Sequence, residues 1–462
     1  MYRCVIKSAD NINQYEELIK VFLPPGEYEI CREETEASSQ GLKTFDVSLG
    51  REEVKRRLYR DLEEYTGKSP KWGILTGIRP VKLAGEMRRR LGSPEEVKRL
   101  LAREYLLSEE KAGLVLDTLL YQEKTAGRPE KGKISLYVGI PFCPTRCLYC
   151  SFASNQADKE EMDRYMKALE GEIDAAAEET KKSGFSLESL YIGGGTPTAL
   201  DEKGLEGLLR RLEEGFDISG LREFTVEAGR PDTITEGKLS LMKEAGVDRI
   251  SINPQTMNEE TLKIIGRSHS VSDTYRAFDM AQKTGFRSVN SDLIAGLPGE
   301  STEDFFHSLD LVTELGADNI TLHTLAVKRA SRLKEADERY NYRNEAAVDQ
   351  MLSGGRERLA LKGYRPYYLY RQKHTSGNTE NTGFCRDDKI SLYNIRIMEE
   401  AQSILALGAG AISKVYFPAE NRLERVANVT NYQIYIERTD EMIQRKKRGF
   451  FAFAEEIRKQ EV

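Results

Sequence analysis

The segment Cys143-Pro144-Thr145-Arg146-Cys147-Leu148-Tyr149-Cys150 puts three thiols within eight residues, close enough for one short loop to wrap a single inorganic cluster. A cubane 4Fe-4S cluster asks for four thiolates. Three leave one iron open to a small molecule that chelates it through an amine and a carboxylate. A structural zinc site is closed by four ligands, and no second cysteine or histidine pair lies near this loop. A disulfide framework belongs to small secreted chains. This chain has 462 residues and six cysteines, of which Cys4, Cys31 and Cys385 lie far from the loop. The spacing therefore points to a 4Fe-4S cluster with Cys143, Cys147 and Cys150 as its ligands.

Outward from the loop, residues 134 to 328 alternate short apolar runs with amphipathic stretches, the pattern of repeated beta-alpha units around a parallel sheet. Strands are expected at Leu136-Ile140, Ser189-Ile192, Glu223-Glu227, Asp248-Ile252, Ser288-Ile294 and Asn319-Leu322. Helical periodicity fills the gaps, as in Met162-Glu178, Leu205-Glu213, Gly237-Ala245, Asp273-Thr284 and Asp304-Glu314. The expected fold class is α/β, a partial (β/α)6 TIM-like barrel. In such barrels the chemistry sits at the carboxyl ends of the strands, and the cluster loop follows the first strand.

The C-x3-C-x2-C spacing is that of radical S-adenosylmethionine (SAM) enzymes. After the second strand comes Gly193-Gly194-Gly195-Thr196-Pro197-Thr198, a turn whose glycines let the backbone approach a ligand closely. It can present carbonyls and amides to the methionine end of SAM. Glu227 closes the third strand, Gln255 follows the fourth and Asp292 lies in the fifth, positions where an apolar barrel core has no use for them. Buried charge is costly unless paired or functional. A carboxylate and an amide at strand ends can hold ribose hydroxyls, and Arg267 can pair with the methionine carboxylate through its guanidinium fork.

The rest of the composition sets boundaries. Charged residues make up 31% and hydrophobic residues 39%, an ordinary globular balance, and the formal net charge of -6 gives no basic footprint for nucleic acid. The amino terminus has no apolar signal region, and no stretch approaches the roughly 18 apolar residues of a membrane span. A cytoplasmic location is expected. Residues 1–130 read as an N-terminal α+β domain that opens on a strand near Tyr2-Ile6, and Gly127-Arg128-Pro129-Glu130-Lys131-Gly132-Lys133 has linker composition. Residues 134–328 form the barrel, and 329–462 a C-terminal domain expected to be mostly helical. The stretch Lys71-Pro80, which holds the only tryptophan, Trp72, reads as an ordered structural turn.

Ile140-Pro141-Phe142-Cys143 through Phe152, Gly193 to Thr198, Ser251 to Thr256 and Asp292-Leu293-Ile294-Ala295-Gly296-Leu297-Pro298 together resemble the oxygen-independent coproporphyrinogen III oxidase (dehydrogenase) family. The run Tyr370 to Asn381, with Leu407-Gly408-Ala409-Gly410-Ala411 beyond it, looks most like its HemZ branch. The resemblance implies cluster ligation by Cys143, Cys147 and Cys150 and SAM contacts at Gly194, Gly195, Thr196, Glu227, Gln255, Arg267 and Asp292. It implies a reduced ferredoxin or flavodoxin as electron donor and a 5'-deoxyadenosyl radical that takes hydrogen from the propionates of coproporphyrinogen III or a related tetrapyrrole. Carbon dioxide then leaves and vinyl groups remain, giving protoporphyrinogen IX. This chain departs from the family pattern with Gly139 for a common histidine, Phe152 for a further cysteine and Asn253 for a common glycine. Two alternatives stay open: a haem chaperone, and a radical SAM enzyme acting on another substrate. A substrate with four propionates asks for cations, for which Lys328, Arg329, Arg371, Lys373 and Lys414 are candidates. Tyr367, Tyr368 and Tyr370 are candidates to pack on a tetrapyrrole face, although alternating aromatics more often mark a half-buried strand.

Overall fold

The computed structural model describes residues 1–7, 11–32, 43–77, 79–150, 154–326, 344–372, 375–454 and 456–457. Its centre is a run of six parallel strands, each hydrogen-bonded to the next in sequence. Numbered along the whole chain, these are β4 (Lys133–Ile140), β5 (Ser186–Gly194), β6 (Glu223–Glu227), β7 (Arg249–Ser251), β8 (Ser288–Ala295) and β9 (Asn319–Thr324). All six lie where the apolar runs place them. The intervening helices cover the outer face. Lys159–Ser183 buries Tyr165, Leu169 and Ile173, Glu202–Gly215 buries Leu205, Leu208 and Leu212, and these pack on Leu136, Val138, Leu190 and Ile192 in one continuous core. Short polar side chains start these helices. Ser270 and Asp273, and again Ser301 and Asp304, close reciprocal capping boxes, which satisfy amides that a first turn leaves orphaned.

The sheet continues beyond the six units. At one edge β11 (Glu380–Cys385) runs antiparallel to β9, and β10 (Arg365–Arg371) antiparallel to β11. At the other, β12 (Ile404–Leu407) adds parallel to β4, followed by antiparallel β13 (Ile412–Phe417) and β14 (Arg422–Ala427). The order β10-β11-β9-β8-β7-β6-β5-β4-β12-β13-β14 leaves the barrel open. Among the described residues, the C-terminal region thus carries helices, such as Glu345–Leu361 and Thr439–Gly449, together with five strands that a mostly helical reading does not contain. β11 explains why. Its sequence Glu-Asn-Thr-Gly-Phe-Cys reads as a polar loop, yet all six residues are buried.

Near the amino terminus, β1 (Tyr2–Lys7), β2 (Tyr28–Cys31) and β3 (Lys43–Asp46) form a small parallel sheet in the order β2-β1-β3 over a core of its own. The Lys71 turn carries Trp72 into a separate cluster with Val81, Val97, Val115 and Leu369 of β10. Trp72 Nε1 donates to Glu380 Oε2 at 2.8 Å, and Lys111 Nζ reaches Glu380 Oε1 at 2.6 Å. Among the described residues no helix is long and apolar enough to cross a membrane.

Candidate functional site

Because the six strands run parallel, their carboxyl ends gather on one side, and the loop after β4 lies across them. Backbone bonds stitch it on two flanks. Gly195 N and Thr196 N donate to the carbonyls of Ile140 and Phe142, both at 2.8 Å, while Cys143 N donates to Asn155 O at 2.9 Å and Leu148 N to Ile265 O at 2.9 Å. The glycines at the end of β5 permit this approach. A Cβ on Gly195 would lie 2.5 Å from Phe142 O and 3.0 Å from Cys143 Sγ, closer than atoms tolerate. The turn thus seats the Cys143–Cys150 loop itself.

Cys143, Cys147 and Cys150 face a cavity of about 380 Å³. The same cavity is lined by Gly194, Gly195, Thr196, Glu227, Gln255, Arg267 and Asp292, so all ten residues expected to hold cluster and SAM converge on it. Among the described residues no three His, Cys, Asp or Glu side chains gather tightly enough to hold a single metal ion. A cubane spreads its thiolates over separate irons.

Each polar group is positioned by a strand end. Gln255 adopts the left-handed region, φ 71°, a conformation that costs a side-chain-bearing residue energy and recurs at functional sites. Its backbone is fixed to β8 on both sides, N to Asp292 O and O from Ile294 N, each at 3.0 Å. Glu227 accepts from Tyr191 Oη at 2.5 Å. Burial, against which that bond works, pushes its carboxyl up to about 7, with Asp292 adding to the rise. Burial also opposes ionisation of Asp292, but the His323 imidazole, Asn290 and Thr321 outweigh it and hold its carboxyl below the usual range. Arg267 donates to Asn253 O at 3.1 Å and Tyr149 Oη at 3.0 Å, leaving its buried Nε without a partner among the described residues. Three thiols, a guanidinium with an unpaired donor and two carboxylates around one cavity fit a 4Fe-4S cluster together with a zwitterionic nucleoside.

The substrate cations fare differently. Arg371 does not reach the cavity. Its guanidinium stacks on Trp72 at 4.6 Å and donates to the carbonyls of Leu75 and Asn378. Alternation is the cause: Tyr370 and Gln372 line the cavity, so Arg371 between them points out. Lys414 is also absent from the cavity wall, its Nζ lying 3.2 Å from Ile397 O and 3.8 Å from Glu400. Lys328, Arg329 and Lys373 lie outside the described residues, as does Phe152. Sequence reasoning missed Arg230, Tyr149, His323, Gln372 and Asn381, all on the cavity wall. Arg230 follows Glu227 by three positions, so the strand-end logic that singled out Glu227 was one turn short of it.

Barrel and three-thiol cavity are those of a radical SAM protein, and residues 137–312 match the family model of the Radical SAM superfamily. The chain is 39% identical over 393 residues to the oxygen-independent coproporphyrinogen-III oxidase-like protein HemZ of Bacillus subtilis, covering 83% of this chain and 78% of that one. It is 37% identical over 198 residues to the heme chaperone HemW of the same organism, 42% of this chain and 51% of that relative. In fold it resembles coproporphyrinogen III oxidase HemN from Escherichia coli, with a TM-score of 0.55 and 24% identity over 70% of this chain and 73% of that one. The chain belongs to the HemN/HemZ/HemW family of radical SAM proteins. Its cofactors are those of the family, a 4Fe-4S cluster and SAM.

Proposed function

We propose that this chain oxidatively decarboxylates propionates of coproporphyrinogen III to vinyl groups, giving protoporphyrinogen IX, with a reduced ferredoxin or flavodoxin as electron donor. One observation carries the reading: the cavity lined by the residues proposed to hold cluster and nucleoside is also lined by Tyr370, Gln372 and Asn381 of the C-terminal β10–β11 hairpin, a hydrogen-bonding wall. When bound, cluster and SAM supply radical chemistry, a one-electron input that ends in hydrogen-atom abstraction from the substrate. Cys143, Cys147 and Cys150 hold the cluster, Arg267 takes the methionine carboxylate, and Glu227, Gln255 and Asp292 orient the nucleoside. Per propionate, the β carbon loses a hydrogen atom, the terminal carbon leaves as carbon dioxide, and one electron passes to an acceptor outside the protein. We read residues 134–328 as the catalytic unit and 1–130 and 329–462 as flanking domains that shape it.

Anaerobic incubation with coproporphyrinogen III, SAM and a reductant, analysed for vinyl products, tests the reading. Vinyl product supports it. Stable haem binding without turnover overturns it in favour of a chaperone, and SAM cleavage without any vinyl product in favour of another substrate.

A further inference from the structure

The β10–β11 register pairs Tyr370 with Asn381 and Arg371 with Glu380. Cross-strand partners share a face. The Arg371–Glu380 pair faces Trp72, so the Tyr370–Asn381 pair faces the cavity. The Asn381 amide is oriented without ambiguity. Its Oδ1 accepts from Thr324 N at 2.9 Å, which only an oxygen can do, and this directs Nδ2 elsewhere. Nδ2 is buried without a partner among the described residues, in a side chain only 1% exposed. Beside it Gln372 Nε2 lies 3.4 Å from Tyr370 Oη, which lies 3.3 Å from His323 Nδ1.

We infer that Asn381, Gln372 and Tyr370 form a subsite for a carboxylate of the substrate, an inference that rests on the tetrapyrrole reading above. A buried amide donor left unpaired costs free energy, and an acceptor on the ligand removes that cost. Adjacent donors from neighbouring positions of the wall match the two oxygens of a carboxylate. Their lack of charge also suits a group that must depart. A guanidinium would stabilise the carboxylate most in the ground state, whereas amides orient it without adding as much to the barrier. The specificity element expected of Arg371 thus falls to its neutral neighbours.

Asn381→Asp is the decisive variant, because it keeps an oxygen for Thr324 N and turns the free donor into an anion. Anaerobically reconstituted protein is dialysed to equilibrium against coproporphyrin III, the stable oxidised form of the substrate, and against its tetramethyl ester. The wild type is expected to prefer the acid at least tenfold. Asn381→Asp should lose at least tenfold affinity for the acid and none for the ester, with SAM affinity unchanged, and Gln372→Leu should shift the same way. If Asn381→Asp fails to fold, Gln372→Leu decides alone. Wild-type preference for the acid in the folded variants overturns the subsite while leaving the function standing. Loss of SAM affinity in Asn381→Asp overturns it by assigning the amide to the nucleoside. A wild type that binds neither porphyrin overturns the functional reading, and the subsite with it.

Discussion

The guanidinium of Arg230 lies 3.9 Å from the sulfur of Cys147. It is buried, and it also donates to the Thr145 carbonyl at 3.4 Å, the Thr145 hydroxyl at 3.1 Å and Ser268 Oγ at 2.6 Å, with Asp232 as its counter-ion at 3.2 Å. One side chain therefore ties the Cys143–Cys150 loop to the loops after β6 and β7 and brings a positive charge to one of the three thiols proposed as cluster ligands. Hydrogen bonds and charge at the sulfurs help to set cluster potentials. Arg230→Gln should lower the potential of the reconstituted cluster, since the reduced, more negative state loses its stabilising charge, and Arg230→Lys should recover part of the drop. A potentiometric titration followed by paramagnetic resonance measures it. An unchanged potential would leave Arg230 a purely mechanical clamp.

Reconstituted wild-type protein should hold about four irons with an iron-sulfur absorption band. Replacing Cys143, Cys147 or Cys150 by Ala should abolish the band. The same change at Cys4, Cys31 or Cys385 should leave it intact, because those thiols do not line the cavity. Iron content and absorbance decide both halves.

Asp292→Asn should weaken SAM binding by about 1–3 kcal/mol, the cost of losing a hydrogen bond to a charged group, without altering the cluster spectrum. Asp292 meets Asn290 at 2.9 Å and His323 at 3.6 Å, and none of these is a cysteine neighbour. Calorimetric titration gives the affinity. Wild-type binding would place the nucleoside elsewhere.

Arg371→Ala should behave as a stability variant. It strips a buried cation from Trp72 and leaves the buried Leu75 carbonyl and the half-buried Asn378 carbonyl without this donor, for a loss of roughly 2–4 kcal/mol. Vinyl product and SAM cleavage should then fall in parallel with the folded fraction, as thermal unfolding and product analysis on the same samples would register. Loss of product alone would restore Arg371 to the substrate.

Glu399 lines a second cavity, of about 510 Å³, beside Gln122 and Lys82. Burial pushes its carboxyl up to about 7 despite Gln122 and the nearby cations. An unfolded glutamate titrates near 4.3, so between roughly pH 4.5 and 7 the folded state holds a proton that the unfolded state has released. Stability should fall across that window and level off above it. Glu399→Gln should flatten the fall by on the order of 1–3 kcal/mol, measurable as a smaller spread of unfolding temperatures between pH 5 and 8.

What could be read from sequence is what local chemistry enforces. The barrel strands carry short apolar runs or alternating apolar residues because one face packs under the helices, and the cysteine triad, the glycine turn and Glu227, Gln255, Arg267 and Asp292 stand out as polar or small residues in or after them. Facing is harder to read than identity. Arg371 carries the charge a propionate asks for, but a one-residue difference in parity sends it to Trp72 and sends Gln372 to the cavity. β11 was illegible for a different reason. Its buried Glu380 is acceptable only because Lys111 and Trp72, 269 and 308 residues distant in sequence, neutralise and bond it, and no local pattern encodes partners that remote.

The grip of Trp72 and Lys111 on Glu380 gives the first 130 residues a stake in a cavity that none of their described members lines. Residues 380 and 381 are neighbours on one strand, one held from behind by the amino-terminal region and the other turned toward the cavity. A version trimmed to the barrel and its C-terminal strands would keep Cys143, Cys147 and Cys150 and every residue proposed to hold the nucleoside, yet it would strand a carboxylate in an apolar seam. On the proposed function, the damage would surface one position along, as a catalyst that still consumes its cofactor and no longer knows where to aim.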